Sequence, residues 1–144
     1  MPGWVQQGYD EYAKRMPKEC DLILKEVMPG KRGKNSDVAR IVRDEGERMI
    51  QAVPAKSHIV TLDIPGKPWT TPELSVAMKR WMESGQNVAL MIGGPEGLAD
   101  SVRDIARESW SLSKLTFPHP MVRILVAEQL YRAWSILNNH PYHR

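Results

Sequence analysis

The sequence predicts an α/β fold, a mostly parallel sheet with helices on both faces. Two observations point there. Helical and strand-like hydrophobic periods alternate along the chain, with no internal repeat and no low-complexity linker. The most apolar strand-like run, residues 87–92, leads directly into the glycine turn GGPEG at 93–97 and then into a helical pattern. In sheets of this kind ligands settle at the carboxyl ends of strands. The glycine-rich loops fall there.

Taken in order, residues 4–15 read as a helix with Val5, Tyr9, Tyr12 and Ala13 near one face. Residues 21–27 alternate, Leu22, Leu24 and Glu26 against Ile23, Lys25 and Val27, and predict a strand. A loop rich in breakers and charge follows at 29–35. Asn35 or Ser36 can cap the next helix, which runs to about Ala52 and buries Val38, Ile41, Val42, Met49 and Ile50. Residues 58–62 form a short apolar strand, closed by a loop at 63–70. Thr71, Pro72 and Glu73 open a further helix, since proline suits a first helical turn, and it ends near Gly85. Beyond the glycine turn a helix spans about Ala99 to Glu108, and residues 112–117 are a last short strand or an extended loop. The final helix, 121–137, carries Val122, Leu125, Val126, Leu130, Ala133 and Leu137 on its apolar side.

A chain of 144 residues is one domain's worth of polypeptide. With 42% hydrophobic and 26% charged residues it matches a soluble globular protein, not a disordered tail, a collagen or a coiled coil. A net charge of +3 is mildly basic and permits a nucleic-acid partner without requiring one. Cys20, the single cysteine, excludes an internal disulfide and a cysteine-rich zinc site. There is neither a transmembrane-length apolar run nor a signal-peptide pattern, so the expected location is cytoplasmic and no membrane partner is expected.

Several segments have residue types suited to chemistry, each with a plainer structural reading beside it. The GGPEG turn lets backbone approach a ligand with no Cβ in the way, or is simply a tight strand-to-helix turn. It is not GxGxxG, so a dinucleotide site is unsupported. Residues 30–36 place Lys31, Arg32 and Lys34 on one loop without P-loop spacing; they contact RNA phosphates or are merely solvated. That missing spacing argues against a nucleotide hydrolase. His140 and His143 have a metal-compatible spacing but no evident third ligand, and no metal is expected. His119 lies between two prolines in a loop before the last helix. Glu128 can pair with Arg132 one turn on. The tail, 139–144, lacks a helical pattern, but its aromatic and basic residues suit stacking on a base and pairing with phosphate. The last helix, with Tyr131 and Trp134, is either a dimer face or ordinary core.

TLDIPGKPW at 61–69, IGGPEGL at 92–98, SWSLS at 109–113, PHP at 118–120, YRAWS at 131–135 and HPYHR at 140–144 occur in this order. Together they closely resemble the ribosomal RNA large subunit methyltransferase H family, pseudouridine N3-methyltransferases of the SPOUT class. The likeness spans nearly the whole chain. It implies an α/β fold whose part from about residue 58 to 144 threads a trefoil knot, a topology otherwise nearly absent from proteins. It also implies a short apolar strand and turn ahead of residues 1–4, which this chain lacks, and hence an unpaired neighbouring strand.

The same resemblance implies S-adenosyl-L-methionine as methyl donor, 23S rRNA on the ribosome as substrate, and a homodimer. The implied donor contacts are Leu62, Gly93, Gly94 and Gly97, then Leu112, Ser113, Lys114, Leu115, Thr116 and Phe117, with Leu62 and Leu115 against the adenine. Glu128 or His119 would accept the N3 proton, directly or through water. Arg144 would stabilise charge on the flanking carbonyl oxygens, and Tyr142 would stack on or hydrogen-bond the base. Lys31, Arg32 and Lys34 would bind RNA. The rival reading is a non-catalytic RNA- or ribosome-binding protein on the same fold, with RNA affinity and no donor affinity.

Overall fold

The computed structural model describes residues 2–27, 37–93 and 96–144. In chain order the elements are α1 (Gly3–Ala13), α2 (Val38–Ala52), β1 (His58–Lys67), α3 (Thr71–Ser84), β2 (Val88–Ile92), α4 (Asp100–Ile105), β3 (Glu108–Trp110) and α5 (His119–Leu137). Short 3₁₀ turns occupy Lys18–Cys20 and Pro141–His143. The chain divides into two compact units. One comprises Met1–Leu24, Trp69–Gly85 and Leu115–Arg144; the other comprises Lys25–Pro68 and Gln86–Lys114.

The second unit holds the sheet, ordered β2-β1-β3, and both pairings are parallel as the alternation predicts. The central strand is the most buried: Ile59 is 8% exposed, Val60 0% and Thr61 1%. Ile59 and Met91 form a core with Leu98, Ala99 and Val102, and Val42, Met49, Ile50, Val53 and Ala106 pack against it. Helices α2 and α4 approach closely, because a Cβ at Gly46 would lie 2.6 Å from the Cβ of Ala99. Across the sheet's amino end, His58 Nε2 pairs with Glu108 Oε2 at 2.7 Å.

The first unit is helical, with α1 and α3 each packed on α5. Val5 and Tyr9 of α1, Leu74, Ala77, Met78 and Trp81 of α3, and Val126, Ala127, Leu130, Tyr131 and Ala133 of α5 are buried. Thr71 Oγ1 donates to Gln129 Oε1 at 2.8 Å and ties α3 to α5. Helix α3 starts at Thr71 as its sequence predicts; Thr70, expected in the loop, forms a reciprocal capping box with Glu73, and Gly85 closes the helix in the left-handed conformation.

Several sequence expectations are corrected. Residues 21–27 form no strand, and Ile23 is 71% exposed. Alternation describes two faces but does not supply a neighbour, and both edges of β1 are taken by β2 and β3. Asp37 caps α2, accepting the Arg40 amide at 3.3 Å, whereas Asn35 and Ser36 lie outside the described residues. Val38, expected inside, is 50% exposed in the first turn. Strand β1 continues to Lys67, because Leu62 and Lys67 both pair with Trp110 and the intervening residues bulge. Helix α4 stops at Ile105, and Glu108 starts β3, a strand too short to show a period. Residues 112–117 are bends and irregular chain, so the extended-loop alternative holds. Helix α5 starts two residues early, placing His119 in its first turn.

Candidate functional site

Parallel register gathers the first group of expected residues. Leu62 pairs with Ile92 on one side and Trp110 on the other. Gly93 is therefore one step past the end of β2, and Leu112 two steps past the end of β3. Leu62, Gly93 and Leu112, from three separate motifs, meet at the carboxyl edge of one sheet. The edge is braced by its own backbone: the Ser111 amide donates to the Lys67 carbonyl at 2.9 Å, and Ser111 Oγ donates to the Ser113 carbonyl at 3.2 Å.

The glycines have a local reason to be there. A Cβ at Gly93 would meet the Gly97 carbonyl carbon at 2.7 Å, and Gly97 itself sits at φ +84°. Gly93 and Gly97 lie backbone to backbone, and a side chain at either position meets steric or conformational strain before it reaches any ligand. An ion pair missed from sequence steadies the same edge. Arg103 of α4 donates from Nε to Asp63 Oδ2 at 2.8 Å, and Asp63 directly follows Leu62. Asp63 lies within TLDIPGKPW at 61–69, but no local spacing links it to Arg103. Gly94, Lys31, Arg32 and Lys34 lie outside the described residues. Leu115, Thr116 and Phe117 follow in the other unit, with Leu115 68% exposed.

The second group forms in the helical unit around Glu128, whose side chain is 14% exposed. Arg132 donates from Nε to Glu128 Oε1 at 2.8 Å, with a second nitrogen at 2.6 Å, which is the i,i+4 pair its spacing predicts. The Tyr142 hydroxyl donates to the same oxygen at 3.1 Å, and Gln129 Nε2 donates to Oε2 at 2.8 Å. Among the described residues, Oε1 is thus held by a cation and a phenol, and Oε2 by one neutral amide. The freer oxygen, Oε2, is the one that can receive a proton with least rearrangement.

Tyr142 reaches Glu128 because the tail folds back. Its amide donates to His140 Nδ1 at 3.2 Å, capping the 3₁₀ turn, and the Arg144 amide donates to the Pro141 carbonyl at 3.1 Å. Ser135 donates its proton to the Arg132 carbonyl at 2.7 Å, so His143 Nδ1, 3.1 Å away, is the donor to Ser135 Oγ. The tail is an ordered turn, where the sequence shows no helical pattern. Partial burial, then the bond to Glu128, pushes the Tyr142 phenol up to about 12. At neutral pH it is a hydrogen-bond donor and not a base.

The structure separates the two proton-acceptor candidates. His119 and Glu128 stand nine residues apart on α5, about 13.5 Å of helical rise, so they do not serve the same atom directly. Tyr131, 6% exposed, stacks on Trp134 at 5.7 Å within the helical unit, as ordinary core packing requires. Among the described residues no cluster of three or more His, Cys, Asp or Glu is arranged to hold a metal.

A family model described as "Predicted SPOUT methyltransferase" matches residues 1–143. The chain is 60% identical over 144 residues to the ribosomal RNA large subunit methyltransferase H of Methylococcus capsulatus, covering 100% of this chain and 93% of that protein. The likeness extends through both the sheet edge and the Glu128 cluster, and the chain belongs to the SPOUT methyltransferase family.

Proposed function

We propose that this chain methylates N3 of a pseudouridine in 23S rRNA, using S-adenosyl-L-methionine as donor and working as a homodimer on the assembled ribosome in the cytoplasm. The observation that carries the reading is the Tyr142 hydroxyl on Glu128 Oε1, which brings the C-terminal motif and the α5 carboxylate into one polar cluster. The donor's chemistry fits the sheet edge. Leu62, Gly93 and Leu112 are uncharged and lie in register at one edge of the sheet, which suits an adenine. Leu62, Gly93, Gly97, Leu112, Ser113 and Lys114 would hold the donor, and the chain continues into Leu115, Thr116 and Phe117. When bound, the donor supplies a methyl group on a sulfonium, which leaves as the attacking nitrogen bonds to it.

This chain's own residues supply placement and proton handling. Orienting the two reactants can contribute about 7–11 kcal/mol. Glu128 Oε2 takes the N3 proton, and Tyr142 contacts the base while its hydroxyl keeps Oε1 occupied. Arg144 faces the negative charge that builds on the carbonyl oxygens as the proton leaves. His119, a long helical rise from Glu128, acts through water. Lys31, Arg32 and Lys34 meet rRNA phosphates. Among the described residues no helix is long and apolar enough to cross a membrane.

A methylation assay on assembled ribosomes and on free rRNA, with the added mass mapped to one nucleotide, tests the reading. Methyl on a single pseudouridine, on ribosomes, is expected. Calorimetry with S-adenosyl-L-methionine runs beside it: RNA affinity with no donor affinity would leave a binding protein on the same fold.

A further inference from the structure

Tyr142 is held by more than the carboxylate to which it donates. Its ring lies 4.6 Å from that of Tyr131, and the Arg132 guanidinium carbon stands 5.0 Å from its centroid. A second cation arrives from the other end of the chain. The Arg15 guanidinium carbon is 5.5 Å from the Tyr12 ring, 5.6 Å from Tyr131 and 5.8 Å from Tyr142, within cation–π range of all three. Glu11, one turn back, anchors Arg15 with Oε1 at 2.5 Å from a guanidinium nitrogen. Arg15 stands just past the carboxyl end of α1, where the helix dipole favours a cation. The Tyr12 side chain also hydrogen-bonds Tyr142.

The turn being held is weak by itself. Pro141–His143 is a three-residue 3₁₀ turn, and its geometry needs outside support to stay in one place. We propose that Arg15 is a positioning residue for methyl transfer: fixed by Glu11 and set among the rings of Tyr12, Tyr131 and Tyr142, its guanidinium places the C-terminal turn that carries Tyr142 and Arg144. This rests on the reading that Tyr142 and Arg144 act at the target base. Arg15 belongs to the helical unit, whereas the expected donor contacts Leu62, Gly93 and Leu112 belong to the sheet unit. Its loss should therefore lower the rate of the bound complex and leave donor affinity alone.

The charge is the testable part, since packing alone would tolerate a methionine of similar length. Kinetics of ribosome methylation would be measured for the wild type, Arg15→Met, Arg15→Lys, Tyr142→Leu and the Arg15→Met/Tyr142→Leu double variant, alongside thermal unfolding. Arg15→Met is expected to lower kcat on the order of tenfold with the KM for S-adenosyl-L-methionine unchanged. Arg15→Lys should recover most of that rate, and the double variant should lose no more than Tyr142→Leu alone. Wild-type kcat in Arg15→Met, equal losses in the Met and Lys variants, or additive losses in the double variant would each overturn the proposal. Should Arg15→Met not fold, Arg15→Gln takes its place with the same readings. A wild type that methylates no ribosome would instead remove the functional reading on which the proposal rests.

Discussion

At Glu128 one carboxylate ties its own helix to the C-terminal tail. The pair with Arg132 is legible from spacing alone, because residues four apart share a helix face. The Tyr142 hydroxyl on the same oxygen is not, because it depends on the tail turning back at His140. Arg144 ends that turn, with its amide tied to Pro141 and its residue exposed. Arg144→Ala should leave S-adenosyl-L-methionine affinity near wild type by calorimetry while turnover falls about 10²- to 10³-fold, the scale for losing one charge-stabilising donor. Unchanged turnover would take Arg144 out of the mechanism.

Among the elements, α3 was the most legible. Its capping box and early proline lie within residues 70–73 and its closing glycine at 85, and each acts locally. Thr70→Ala removes the hydroxyl that accepts the Glu73 amide at 3.2 Å and should lower stability by about 1 kcal/mol in denaturant titration. The backbone amide of Thr70, then its side chain, holds the Glu73 carboxyl below its ordinary range. A carboxyl lowered in the folded state stabilises above its unfolded value, and that contribution fades as pH falls through the folded one. Glu73→Gln should therefore flatten the acid limb of the stability profile; an unchanged limb would mean the bond is idle in solution. Strand β3 is the opposite case. Three residues have no measurable period, and Glu108–Trp110 is a strand because β1 is beside it.

Over the whole molecule, two raised phenols, Tyr9 and Tyr142, set the alkaline limit. Burial first, then nearby carboxylates, raises Tyr9 to about 12, and Tyr142 reaches a similar value. Both ordinarily titrate at 10.0, so between these values the folded state keeps protons the unfolded chain has lost. Their contribution is complete below pH 10 and disappears as pH rises through 12, so stability should fall with pH across that window. Titration of tyrosinate absorbance should show a late phase that Tyr9→Phe and Tyr142→Phe each diminish; a late phase unchanged in both variants would contradict these surroundings. On the RNA side, neutralising Lys31, Arg32 and Lys34 together should weaken rRNA binding. It should also flatten the log–log salt dependence by about 0.7 per lost phosphate contact. If affinity and slope both hold, that loop is only solvated.

Hydrophobic period, caps and ordered motifs act over one or two turns of chain. From them alone the α/β class, the parallel sheet, the frame of the helices and the family could be read. Partnership between distant segments could not. The run at 21–27 alternates yet pairs with nothing in the sheet, while Leu62, Gly93 and Leu112 converge only once three strands align in parallel register. Arg15 meets Tyr142 only after α1 packs on α5 and the tail folds back. Local pattern shows which face of a segment leaves water; contacts across long stretches of chain settle which segment it faces, and no short-range signal encodes them.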